Sequence, residues 1–197
     1  MTDISQKLPS SIPFLVLFTR DYKARLHVSN IAKTLNLSQK TTSRKLESLQ
    51  KLSLLKFNKV GKNKYYSFNY TLRTAFSLLE MVENYKEIKF SLHHPEMYLL
   101  LNEISQDYEL ILFGSYAKGR AKKGSDLDLV IFSSKSKKLL EIIKKYPFEV
   151  NAHYVSHQLF AKRLQEKQHL AQEIAKDHIL FGSKEKIIRM FMDYFVK

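Results

Sequence analysis

The sequence predicts an α/β (α+β) domain preceded by a smaller, basic domain of helices and a hairpin, and three stretches carry that prediction. Glu109 to Phe132 reads ELILFGSYAKGRAKKGSDLDLVIF, in which the apolar runs Leu110 to Phe113 and Leu127 to Phe132 have the length and content of buried strands. A lysine-rich helical stretch at 137–146 is stopped by Pro147 and followed by FEVNAHYV, which makes a strand–helix–strand unit. Upstream, HVSNIAKTLNLSQKTTSRKLESLQKL gives two short amphipathic helices, and LLKFNKVGKNKYYSFN gives two strand-like runs joined by a turn at Gly61-Lys62-Asn63.

At 197 residues and 44% hydrophobic content, the chain can bury one large or two small cores. The reading divides it into a domain at 1–70, a linking helix at 71–94 and a domain at 95–197. Absence of cysteine excludes disulfides and cysteine-ligated zinc and agrees with a reducing compartment. No apolar run reaches membrane-spanning length, and Met1 to Pro9 has one lysine and no long apolar core, so the expected location is cytoplasmic, away from membranes. The net charge of +14 is unevenly placed: residues 1–70 hold 13 Lys and Arg against 3 Asp and Glu, and residues 71–197 hold 20 against 16.

In chain order, Ile12 to Phe18 predicts a first core helix with Pro13 in its opening turn. Val28, Ile31, Ala32 and Leu35 follow helical spacing, Asn36-Leu37-Ser38 breaks it, and Ser38 is placed to cap a second helix carrying Leu46, Leu49 and Leu52. That second helix presents Gln39, Lys40, Thr41, Thr42, Ser43, Arg44 and Lys45, types that contact phosphates and base edges in a major groove. With Lys59, Lys62 and Lys64 around the following turn, the outline resembles winged-helix domains of the MarR and ArsR type, which implies duplex DNA as a partner. The alternative is a solvated face on a winged helix used for dimerisation or protein contact.

Thr71 to Phe90 carries Leu72, Ala75, Phe76, Leu79, Val82 and Tyr85 at helical spacing, and its aromatic stripe reads as core or dimer seam, with a homodimer left open. His93-His94 before Pro95 marks a boundary, and Glu96 to Ile104 predicts the helix feeding the first strand of the second domain. Helical spacing runs from Ser156 to Ala175, HILF at 178–181 predicts a short strand, and a turn at Gly182-Ser183 leads into a final amphipathic helix.

The candidate chemistry sits between Phe113 and Leu129. Gly114 lacks a Cβ, so an anion can approach the main chain, and Ser115 is suited to cap a short helix from Tyr116 to Arg120 whose N–H groups face that anion. Lys118, Arg120, Lys122 and Lys123 are auxiliary candidates for triphosphate or acceptor contact, though lysine-rich loops are commonly just solvated. Asp126 and Asp128, two apart on a strand, share a face while Leu127 and Leu129 point to the core. Two carboxylates with open neighbouring positions suit Mg2+, or Mn2+, shared with nucleotide phosphates.

Gly114, Ser115, Asp126 and Asp128, with Gly119, Arg120 and Ser125 between them, resemble the signature of the DNA polymerase beta-like nucleotidyltransferases, most of all the minimal nucleotidyltransferases, over roughly residues 95–197. The resemblance implies a mixed sheet, a nucleoside triphosphate (NTP) substrate, transfer of its monophosphate to a hydroxyl acceptor with release of pyrophosphate, and a third carboxylate on the adjoining strand. Glu149 is the acidic residue of that stretch, set opposite Phe148, Val150, Ala152 and Tyr154, so the expected catalytic and metal set is Asp126, Asp128 and Glu149. The alternative function is a DNA-binding regulator, or an antitoxin, whose nucleotidyltransferase domain senses nucleotide or contacts a partner such as a HEPN-domain toxin.

Overall fold

A computed structural model of the chain describes residues 9–196 and divides into two compact units, one ending at Val82 and one running from Glu83 to Phe195. In the first unit, a 3-10 turn at Pro9–Ser11 leads into α1 (Ile12–Thr19), whose opening turn accepts Pro13 and which buries Phe14, Leu15 and Phe18. The strand β1 (Leu26–His27) precedes α2 (Val28–Leu35), which ends where Asn36 turns left-handed at φ 52°. Ser38 Oγ then accepts the Thr41 N–H at 3.1 Å and opens α3 (Gln39–Lys51), which buries Thr42, Leu46 and Leu49 along one stripe.

The hairpin β2 (Leu55–Val60) and β3 (Asn63–Phe68) pairs antiparallel with Val60 opposite Asn63. Its loop is therefore the two residues Gly61-Lys62, with Gly61 at φ 58°, one residue tighter than the sequence suggested. Strand β1 adds to β3 by pairing Leu26 with Tyr66 and His27 with Tyr65, giving the sheet order β1-β3-β2.

The next helix, α4 (Ala75–His93), starts later than the predicted Thr71, because Asn69 Oδ1 takes both the backbone N–H and the hydroxyl of Thr71 and holds 69–71 in a turn. The boundary between the units falls within α4. Its second-unit portion buries Glu83 against Lys86 Nζ (2.7 Å) and His178 Nε2 (3.3 Å). Burial pushes the Glu83 carboxyl up, but the Lys86 and His178 charges outweigh this and hold it below the ordinary carboxylate range. Burial and Lys86 push His178 down against the opposing pull of Glu83.

The second unit continues with α5 (Pro95–Ser105), β4 (Leu110–Phe113), α6 (Gly114–Ala117), β5 (Leu127–Ile131), α7 (Lys137–Lys144), β6 (Val150–Tyr154), α8 (His157–Gln165), α9 (His169–Lys176), β7 (Ile179–Phe181) and α10 (Glu185–Val196). The sheet has the order β6-β5-β4-β7 and is mixed: β6 runs parallel to β5 after the α7 crossover, and the other neighbours are antiparallel. Leu110, Leu112, Leu127, Leu129 and Ile131 form a core with Leu100, Leu101 and Ile104 of α5 and Leu139 and Ile142 of α7. The region read as one helix from Ser156 to Ala175 is two helices, because the chain turns at 166–168 with Lys167 at φ 56°.

Candidate active site

The site lies where β4 and β5 leave the sheet. All four residues of β4 are buried, so the chain exits Phe113 with its position fixed and turns sharply at Gly114, φ 71°. Any Cβ on Gly114 would stand 2.0 Å from Asp128 Oδ2, so this glycine is required both by its left-handed backbone and by the carboxylate seated against its Cα. The helix that follows is a single turn, Gly114–Ala117. Phe113 occupies its N-cap position, and Ser115 lies inside the turn, which corrects the expected cap at Ser115 and helix from Tyr116 to Arg120. Glycine supplies the left-handed conformation here, and the helix begins two residues earlier. Tyr116 is buried edge-on to His94 at 5.3 Å, and burial pushes its phenol up.

Asp126 is exposed one residue before β5, and Asp128 is half-buried within it, while Leu127 and Leu129 are fully buried on the opposite face. Asp128 is flanked in register by Phe113 on β4 and Asn151 on β6, and Asn151 Nδ2 donates to Asp128 Oδ1 at 3.0 Å. One oxygen thus meets an amide and the other the bare Cα of Gly114, a seat that fixes the carboxylate's orientation. Two hard oxygen donors, one pre-oriented and one exposed, fit a magnesium-type cation that completes its shell with phosphate oxygens.

Glu149, the expected third ligand, stands at the start of the β5–β6 pairing. It is exposed and precedes β6, its carbonyl accepting the Leu127 N–H at 2.8 Å, and among the described residues no three His, Asp or Glu side chains gather closely enough to hold a metal ion. The side chain beside Asp128 on the adjoining strand is Asn151. Sequence reasoning placed Asn151 on the right face but passed over it because it carries no charge; counting the parallel register from Leu127 opposite Val150 finds it.

Lys118 is half-buried and pairs with Glu173 at 3.5 Å, whereas Arg120, Lys122 and Lys123 are exposed. Ser125 Oγ takes the Lys122 N–H at 2.9 Å and closes the loop before Asp126. At the far end of β4, Glu109 is engaged by His157 and by Lys186, so this carboxylate is spoken for by the scaffold.

In the first unit, Gln39, Lys40, Thr41 and Arg44 are exposed on α3, and Lys59 and Lys62 are exposed on the hairpin. Thr42 is fully buried, on the same stripe as Leu46 and Leu49, and is removed from the candidate contact set. Lys45 is half-buried and donates to Ser10 Oγ at 2.7 Å, and Lys64 lies over the Phe57 ring at 4.9 Å, opposite Lys59 across the hairpin.

No curated protein matches the chain. A family model described as a nucleotidyltransferase domain matches residues 98–196, half of the chain and all of the mixed sheet. With the Gly114 turn and the Asp126 and Asp128 pair inside that match, the chain belongs to the nucleotidyltransferase domain family, whose chemistry is the transfer of a nucleotidyl group.

Proposed function

We propose that the second unit binds an NTP together with Mg2+ or Mn2+ and moves the nucleoside monophosphate to a hydroxyl acceptor, and that the first unit is a winged helix that binds duplex DNA. The observation that carries the enzymatic reading is the seat of Asp128 between Gly114 and Asn151, with Asp126 exposed beside it. A carboxylate held this way costs no reorientation when it meets a cation. The cation would neutralise charge on the triphosphate oxygens. The open Cα of Gly114 and the first N–H groups of α6 leave room for phosphate, and Arg120, Lys122 and Lys123 supply exposed positive charge on the loop between the two strands. In the transfer, the acceptor oxygen bonds to the α-phosphorus, the bond from that phosphorus to the bridging oxygen breaks, pyrophosphate leaves, and the acceptor's proton passes to solvent.

The support for DNA binding is the order of α2, α3 and a basic hairpin on one compact unit, with Lys40, Arg44, Lys59 and Lys62 exposed. A second reading, in which the second unit senses nucleotide or contacts a partner such as a toxin while the first unit regulates on DNA, is favoured by one observation: an amide stands beside Asp128 in place of a further carboxylate. Incubation with each labelled triphosphate, magnesium and cell extract tests the choice. Label transferred to an acceptor and lost in Asp128→Asn supports transfer; triphosphate binding by calorimetry without any labelled product supports sensing.

A further inference from the structure

We infer that Asn151 is a positioning residue that holds the Asp128 carboxylate in the orientation in which it meets the divalent cation of the bound triphosphate. The inference rests on the nucleotide-binding reading above and says what kind of site it is. Asp128 has two oxygens with different neighbours: Oδ2 lies against the Cα of Gly114, where a Cβ would be 2.0 Å away, and Oδ1 receives the Asn151 amide at 3.0 Å. These contacts come from the two sides of β5, through β4 and β6, so the carboxylate cannot swing toward either neighbouring strand without losing one of them. Asn151 is an exposed strand residue with no core to fill, and the bond it makes is to Asp128. Its amide nitrogen faces the carboxylate as a donor and is no cation ligand in that orientation. Asp126 is the other carboxylate of the pair, and the pairing of Leu127 with Val150, with the bond from the Leu127 N–H to the Glu149 carbonyl, brings Glu149 to the same end of the β5–β6 ladder. With one oxygen at the Asn151 amide and the other at Gly114, Asp128 is held ready for a Mg2+-type ion that shares triphosphate oxygens.

Titration of the full-length protein with Mn2+, followed by the loss of free-ion electron paramagnetic resonance signal, with and without α,β-methylene ATP, tests this. Mn2+ binding that tightens in the presence of the nucleotide and is abolished by Asp128→Asn is expected. Asn151→Ala is expected to weaken Mn2+ binding about ten- to a hundredfold, the usual cost of removing a group that orients a ligand, while urea unfolding stays unchanged. Unchanged Mn2+ affinity in Asn151→Ala, with Asp128→Asn abolishing binding, overturns the positioning role while leaving the nucleotide site standing. Mn2+ binding that is absent in the wild type, or indifferent to Asp128→Asn, overturns the nucleotide-site reading itself, and this inference with it.

Discussion

The two candidate surfaces of this chain are built in contrasting ways. In the second unit, function rests on a few atoms in tight mutual contact: the Gly114 Cα, both oxygens of Asp128 and the Asn151 amide. In the first unit the proposed DNA-contact surface consists of long cationic side chains, Lys40, Arg44, Lys59 and Lys62, exposed to solvent. The difference teaches that one kind of site fails as a unit and the other fades by increments, because orientation is all-or-none for a seated carboxylate, whereas phosphate contacts act through summed charge.

The largest effect expected is at the aspartates. Asp126→Asn and Asp128→Asn each abolish cation-dependent triphosphate binding in calorimetry, with far-UV circular dichroism unchanged; retained binding in both would erase the distinction between the two surfaces. Next comes the scaffold beneath the second site. Glu83→Ala leaves Lys86 and His178 buried without their carboxylate and is expected to cost about 3–5 kcal/mol in urea unfolding. Both Glu83 and His178 have lowered affinity for protons in the folded state, so the unfolded chain binds more protons as pH falls. The stability of the second unit is therefore full above the ordinary histidine value of 6.5 and falls as pH drops below it, and again through the carboxylate range, which thermal melts across that span check.

Gly114→Ala is smaller in stability, about 1–2 kcal/mol for the left-handed backbone, with nucleotide binding lost through displacement of Asp128. On the basic surface, Lys40→Ala with Arg44→Ala is expected to lower the slope of log K against log salt by about 0.9 for each phosphate contact removed, without abolishing DNA association. Fluorescence anisotropy with a duplex at several salt concentrations reads this directly, and an all-or-none loss would show that the first unit too depends on fixed geometry. The smallest effect on triphosphate binding is at Glu149, which is exposed before β6 and whose loss leaves Asp126 and Asp128 in place: Glu149→Gln leaves triphosphate binding unchanged in calorimetry.

Features set by local chain geometry were legible in the sequence. The spacing of Gly114 to Asp126 and Asp128 is one turn, one loop and one strand, and Ser38, Asn36 and Pro95 mark helix ends through their own backbone or side-chain chemistry. Features set by distant partners were not. Strand β1 is two residues long and exists because Tyr65 and Tyr66 lie alongside it. The break at 166–168 carries no glycine or proline, and Lys167 bears the left-handed turn instead. Thr42 looked like a contact residue by type, but its spacing from Leu46 and Leu49 placed it on the buried stripe, and there spacing outweighs polarity. Asn151 became visible only when the register of β6 against β5 was known.

The close approach of Gly114 to Asp128 also ties the two positions together in descent. A lineage that gave up the Asp128 carboxylate would lift the steric bar on a side chain at 114, where a Cβ now meets Oδ2 at 2.0 Å, although the φ of 71° would still tax it. Once such a side chain had settled, aspartate could not return to 128 until glycine had first been restored. The contact therefore fixes an order of events: a side chain at 114 can follow the loss of Asp128 but not precede it, and recovery must run the two changes in reverse.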